Sequence, residues 1–258
     1  MKTVVFTNQK GGVGKTTLSR ELGFYIASLG YSVLLVDADP QGNLTKSLTD
    51  EGPGLYEAVS GEGLSVQKVN ENLSILRGGV KLSLLEKQLL GELDAYSRFS
   101  ELFKVQELQR FDYLFIDTPP SLGIITVNAL TCADALVIPA SCGLYTLQGT
   151  NDLLSTIAKV KKSLNPDLSI LGVIVNAFDS VPVITRQIRE EIEDSFGEKV
   201  FSTALSKSIK LEEAIAMRDG VINHPKLDSS RAGIEVASIG DELLKRMSRS
   251  KPISVSAL

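Results

Sequence analysis

Histidine and cysteine are nearly absent from this chain of 258 residues. There is one histidine, His224, and two cysteines, Cys132 and Cys142. The cysteines lie far from any C-x-x-C spacing, so a structural zinc site and a disulfide framework are both excluded. They read as reduced thiols of a cytosolic protein. An excess of basic charge is also missing. The net charge is -4, so any contact with nucleic acid has to come from a local patch. No apolar run reaches the ~20 residues of a membrane span, and the N-terminus lacks the apolar segment of a signal peptide. The expectation is a soluble, cytoplasmic protein, long enough to bury a large core without staples.

What is present is a repeated alternation of apolar strands and amphipathic helices. "TVVFTN" (3–8) reads as a buried parallel strand. The helix after it carries Leu18, Leu22, Tyr25, Ile26 and Leu29 at helical spacing and stops at Gly30. "YSVLLVDAD" is the next strand, which completes a βαβ unit. Further strands are expected at "LSIL" near residue 75, at 111–117, 135–140 and 169–178, and at "KVFST" (199–203). Helices are expected over 82–93, 97–109, 146–163, "VITRQIREEIEDSFG" (183–197) and 229–247. The reading is one doubly wound α/β domain over 1–248, its mostly parallel sheet covered by helices on both faces. A loose tail covers 249–258.

"TNQKGGVGKTT", "VDADPQGN", "FIDTPPSLG" and "VNAFD" each follow a strand, so all four can converge on the carboxyl edge of the sheet, where ligands of such sheets bind. Lys10 to Thr17 satisfies the phosphate-loop pattern G-x-x-x-x-G-K-[ST] once Gln9 is accepted at the first glycine position. Gly11, Gly12 and Gly14, with Val13 between them, let backbone N–H groups turn toward phosphate oxygens. A helix starting at about Lys15 would aim its positive end at the same anion. In this role Lys15 reaches the β- and γ-phosphates of ATP and the Thr16 hydroxyl ligates Mg²⁺, with Thr17 beside it. Asp117, at the end of "YLFID", has the position of a carboxylate that holds the metal's water. The "TPPSLG" after it suits a segment that responds to the γ-phosphate. In "VDADPQ", Asp37 and Asp39 point to opposite faces while the chain stays extended. Asp37 is then expected in the metal shell and Asp39 on the attacking water, or the two are simple turn carboxylates.

Lys15 already provides the phosphate lysine, which leaves Lys10 without a role in a single chain. Here the sequence resembles a known family. "KGGVGKTT", "LLVDADPQGN", "FDYLFIDTPPSLG" with "NAL", and "LNPDLSILGVIVNAFD" are similar to the ParA/MinD family of deviant-Walker-A ATPases, and most similar to its short, Soj-like partition ATPases. The likeness runs from about residue 2 to residue 248. It implies that Lys10 reaches across a homodimer interface to the partner's ATP, comparable in role to an arginine finger. It implies that Asn176 reads adenine, with "SKSIKLEEA" (206–214) as the adenine loop. Ser206 and Lys207 stand there where the family commonly has Pro-Arg, and Ile215 where it often has Pro.

The resemblance also implies nonspecific DNA binding by the ATP dimer, a nucleoid-associated location, and a ParB-like partner that stimulates hydrolysis. The candidate DNA contacts are the late basic residues Lys207, Lys210, Arg218, Lys226, Arg231, Lys245 and Arg246, followed by Arg249 and Lys251; interleaved acids allow an ordinary solvated face instead. Two other readings stay open. One is a MinD-like membrane-positioning ATPase, whose terminal amphipathic helix would here be weak, without Phe or Trp and broken by Pro252. The other is a metabolic phosphate-loop enzyme, which would leave Lys10 without a task.

Overall fold

The computed structural model describes residues 1–142, 146–178 and 183–249. The expected tail lies outside them, apart from Arg249. The strands are β1 (Lys2–Phe6), β2 (Val33–Asp37), β3 (Val66–Lys68), β4 (Leu73–Leu76), β5 (Tyr113–Asp117), β6 (Ala135–Ser141), β7 (Ser169–Phe178) and β8 (Leu205–Ser206). They form one sheet in the order β3-β4-β2-β5-β1-β6-β7-β8. Every pairing is parallel except that of β3 with β4.

The helices are α1 (Lys15–Ser28), α2 (Asn43–Lys46), α3 (Leu55–Val59), α4 (Leu82–Leu89), α5 (Arg98–Leu102), α6 (Gln106–Gln109), α7 (Ile124–Cys132), α8 (Thr146–Ser163), α9 (Val183–Phe196), α10 (Ile209–Ala216) and α11 (Arg231–Arg249). Alternate residues of each strand feed two separate cores. Val5, Leu34, Val36 and Ile116 pack on one face with Leu85, Leu130 and Leu153. Val4, Phe6, Leu35 and Phe115 pack on the other with Leu18, Leu22 and Val236. Each such side chain contributes about 1.5–3 kcal/mol by leaving water. Burial on both faces is why the central strands are continuous apolar runs. Cys132 and Cys142 are free thiols.

Three expected elements differ. The helix over 82–93 ends at Leu89, because Gly91 takes a left-handed conformation at φ +93. The helix over 97–109 breaks into α5 and α6 at Val105, whose ψ of 143 is extended; the Gln109 side-chain amide takes the Phe103 carbonyl at 2.5 Å in place of a helical N–H. The strand expected at 199–203 is reduced to one bridge, Val173 with Val200. A 3₁₀ turn over Gly197–Lys199 takes the start of that segment, and the Arg246 guanidinium donates to the carbonyls of Leu171 (2.7 Å), Lys199 (3.0 Å), Glu198 (3.1 Å) and Val200 (2.9 Å) around it.

β1 sits between β5 and β6, and the chain leaves it toward β2 on one side and later crosses to β6 on the other. Ligands of open α/β sheets bind in the crevice outside the strand ends at such a divergence.

Candidate nucleotide site

The loop after β1 is anchored before it turns. Thr7 N–H extends the pairing to Val137 O (3.2 Å), and the Asn8 amide donates to Pro139 O (2.7 Å). Asn8 Oδ1 accepts the Lys10 N–H at 3.0 Å, which bends the chain at Lys10. Gly12 (φ +72) and Gly14 (φ +90) both take left-handed conformations that disfavour a side chain. Gly11 and Gly12 are exposed at the mouth, whereas Val13 is fully buried beneath it. α1 then starts at Lys15, so the loop and the helix N-terminus face the same volume.

The two lysines of the loop are placed differently. Lys15 is 7 % exposed, and its Nζ donates to the carbonyls of Asn8 (3.1 Å) and Lys10 (3.2 Å), spanning the loop from inside. Burial lowers its pKa, against the attraction of Asp117 and then Asp39. Lys10 is half-buried.

Thr16 Oγ1 donates to Asp117 Oδ2 at 2.6 Å, while Asp117 Oδ1 is buried with no hydrogen-bond partner among the described residues. A hydroxyl next to a carboxylate oxygen that lacks a partner fits Mg²⁺, which binds through one or two protein oxygens together with substrate phosphates and water. Asp117 lies opposite Asp37 in the β2–β5 register. Burial, then the charge of Asp37, push the Asp117 carboxyl well above the usual range.

Asp37 is held by the backbone and by Thr45. Its Oδ2 accepts from Thr45 N (2.8 Å) and Thr45 Oγ1 (2.7 Å), and its Oδ1 accepts from Asp39 N (3.2 Å). Its hydrogen bonds thus run to Thr45 and Asp39 and not to Thr16, which makes it a neighbour of the metal pair. Thr45 gives no signal in the sequence, since it sits eight residues on, in the four-residue helix α2, with no pattern of its own. It also accepts Gly78 N–H at 2.9 Å, joining the end of β4 to Asp37. Asp39 is 7 % exposed. One of its oxygens accepts Gln41 N–H at 2.8 Å, and the other makes no hydrogen bond among the described residues.

These carboxyls give a testable pH dependence. Burial raises Asp37 to about 6. A raised pKa means that the fold prefers the proton. Its stabilising share is full below the unfolded value near 3.8 and is lost as pH rises through about 6. The nucleotide-free protein should therefore lose stability over that interval. Asp117→Asn, a neutral isostere, should raise its Tm at about pH 7.5 by roughly 2–4 °C and remove the Mg²⁺-dependent stabilisation by ATP. Thermal melts with and without Mg-ATP check this; a Tm at or below the parent's would contradict the assignment.

Asn176 backs the loop directly. Its Nδ2 donates to Val13 O at 2.9 Å, and a Cβ on Gly14 would lie 1.8 Å from that nitrogen. Only glycine fits at 14, on grounds of both space and φ. Gly14→Ala should cost at least about 2 kcal/mol of stability and abolish nucleotide binding, as read by denaturant melts and calorimetry. Wild-type affinity in that variant would show that the loop is not the site.

The segment expected as a loop over 206–214 is the end of β8 followed by α10. Ser208 caps the helix by accepting Lys210 N–H at 3.2 Å, and Leu211 and Ala214 face the core. Ser206 is buried, its N–H and Oγ both bonded to Glu235 at 2.7 Å, and Lys207 is exposed.

The basic residues divide into two sets. Lys207, Lys226 and Lys245 are exposed and make no ion pair among the described residues. Lys210 pairs with Glu213 (2.9 Å), Arg218 with Asp50 (2.8 Å) and Arg231 with Glu235 (2.7 Å), all with exposed cations. Arg246 does not belong with them. Besides its four carbonyls it pairs with Glu242 at 2.6 Å and stacks over Phe201 at 4.3 Å, so it serves the fold and not an outer surface.

Comparison with known proteins agrees with this geometry. A family model described as an AAA domain matches residues 1–170. The chain is 38% identical over 221 residues to the sporulation initiation inhibitor protein Soj of Bacillus subtilis, covering 83% of this chain and 87% of that one. It is 34% identical over 248 residues to the chromosome partitioning protein ParA of Caulobacter vibrioides, covering 92% of each. The solved structure of cobyrinic acid a,c-diamide synthase from Mycobacterium smegmatis with an ATP analogue and magnesium superposes with a TM-score of 0.85 at 26% identity, over 100% of both chains. With its paired loop lysines, its Thr16–Asp117 contact and these relatives, the chain belongs to the ParA/MinD family of deviant-Walker-A P-loop ATPases, among the Soj-like members.

Proposed function

We propose that this partition ATPase works as a nucleotide-timed DNA clamp. ATP with Mg²⁺ joins two copies into a homodimer, the dimer holds nonspecific DNA, and hydrolysis stimulated by a ParB-like protein releases it. The observation that carries the reading is the difference between the two loop lysines: Lys15 is buried with its ammonium on the loop carbonyls, whereas Lys10 keeps part of its surface accessible. A second, partly accessible cation of the loop acts on a nucleotide held by a facing chain. It adds charge stabilisation only when both sites are filled.

Within one chain the loop N–H groups and the N-terminus of α1 take the phosphates, with Lys15 beside them. Thr16 and Asp117 would hold Mg²⁺, which when bound offsets the charge developing on the phosphate oxygens. The Asp39 oxygen without a partner is free to accept a proton of the attacking water. Asn176 has a second amide N–H beyond the one given to Val13 O, and this N–H suits a purine nitrogen.

Lys207, Lys210, Arg218, Lys226, Arg231 and Lys245 would provide phosphate contacts that do not read sequence. The membrane-positioning reading is weaker, because α11 buries Leu243 and Met247 against the core, which leaves Ile234 as its one large apolar side chain exposed among the described residues. No helix among the described residues is long and apolar enough to cross a membrane.

Because Lys10 acts only across a dimer, basal turnover should be slow. A rate on the order of 10⁻³ s⁻¹ corresponds to a barrier of about 21–22 kcal/mol. The experiment is a steady-state ATPase assay with and without random-sequence duplex and a ParB-like protein. Stimulation requiring both is expected. A basal rate above about 10 s⁻¹, or turnover that requires a small-molecule acceptor, would sink the proposal.

A further inference from the structure

Arg20 and Glu21 stand next to each other on α1, one turn beyond Thr16, and neither exposes any surface. They form an ion pair with each other and also reach a common stretch of distant chain. Arg20 Nη2 donates to Asp219 O at 2.8 Å and to Ala214 O at 3.3 Å. Glu21 Oε2 accepts Val221 N–H at 2.8 Å. The Arg20 guanidinium lies 5.0 Å from the centre of the Phe24 ring, and a Cβ on Gly220 would fall 2.5 Å from Phe24. The phosphate-loop helix therefore grips the end of α10 and the turn after it at three backbone positions.

The gripped turn is the C-terminal cap of α10. Arg218 has φ +54, one of two positive values on a non-glycine residue among the described residues. Its N–H donates to Ile215 O at 3.0 Å and the Asp219 N–H to Ala214 O at 3.0 Å, the pattern of a Schellman cap. Arg20 shares the Ala214 carbonyl with that cap and takes the Asp219 carbonyl just beyond it, and the Arg218 side chain meets Asp50.

Stability alone does not account for the pair. Burial works against both charges, lowering the pKa of Arg20 and raising that of Glu21. Arg20 Nε is buried without a hydrogen-bond partner among the described residues. A buried ion pair of this kind is commonly replaceable by apolar side chains of similar volume at no cost in stability. What apolar side chains would not keep is the directional hold on three backbone groups.

We infer that Arg20 and Glu21 are positioning residues that couple the nucleotide site to the basic surface at 207–226, by setting the 217–221 turn according to where α1 sits. The identity of DNA as the ligand of that surface rests on the partition reading above; the coupling itself does not.

The test uses the full chain and the variant Arg20→Met/Glu21→Leu. Backbone hydrogen exchange is followed with and without Mg²⁺ and a non-hydrolysable ATP analogue. In the parent, nucleotide should slow exchange at both 10–17 and 217–221. In the variant it should slow exchange at 10–17 only, with nucleotide affinity within about twofold of the parent's and ATP-dependent affinity for a short random duplex weakened about tenfold, within the usual range for coupling between sites. A merely structural role would lower the Tm yet leave the response at 217–221 in place. That result, or a parent with no response there, overturns the inference. A parent that responds at 217–221 but binds no DNA with ATP instead defeats the partition reading. If the double variant shows no cooperative melt, Arg20→Lys carries the same test, since an ammonium lacks the fork that reaches two carbonyls and a carboxylate together.

Discussion

Asp39→Ala should bind Mg-ATP as tightly as the parent and turn it over at least about a hundredfold more slowly. Asp39 touches neither the loop glycines nor Thr16. One oxygen is held by Gln41 N–H, which fixes the carboxylate, and the other has no protein partner among the described residues. A fixed, nearly buried acceptor at the sheet edge can order a water without binding the nucleotide. Its loss should therefore fall on turnover and not on affinity, and the ATP-bound dimer should accumulate. Calorimetry with single-turnover kinetics distinguishes the two effects. Normal turnover by Asp39→Ala would remove this residue from the chemistry.

Lys15→Ala should weaken ATP binding by about 10²–10³-fold, within the roughly 2–5 kcal/mol expected when one partner of a buried charge pair is truncated. Two effects combine. The phosphates would lose a buried cation, and Asp117 and Asp39 the positive charge that they attract. The loop also forfeits the internal tie from Nζ to the carbonyls of Asn8 and Lys10. Isothermal titration with Mg-ATP measures the effect, and an affinity within tenfold of the parent's would show that the loop does not hold the phosphates through this residue.

Much of this site is legible in the residues themselves. Central strands buried on both faces appear as apolar runs, and the turn chemistry of Gly12 and Gly14 is written in the residue types. Elements without a period of their own are not legible. α7 is apolar on nearly every side and gives no stripe; β3 is a short, exposed, antiparallel edge; β8 has two residues. Arg246 reads as a surface cation because sequence shows a charge but not the four carbonyls that enclose it. The bonds of Asp37 to Thr45 are not legible, because Thr45 belongs to a later helix. The Arg20–Glu21 pair gives no signal, since an Arg-Glu dipeptide in a helix usually faces solvent.

The most direct test of the account is Lys10→Ala, measured by light scattering and DNA shift with Mg-ATP at two salt concentrations. Doubling the contacts by dimerisation raises avidity by a factor on the order of 10² or more. The variant should bind ATP through Lys15, remain a monomer and show no ATP-dependent DNA binding. Arg218→Ala, by contrast, should keep the dimer and flatten the salt slope by roughly 0.9 for each phosphate no longer neutralised. A Lys10→Ala protein that dimerises and binds DNA as tightly as the parent would contradict the account of the two lysines.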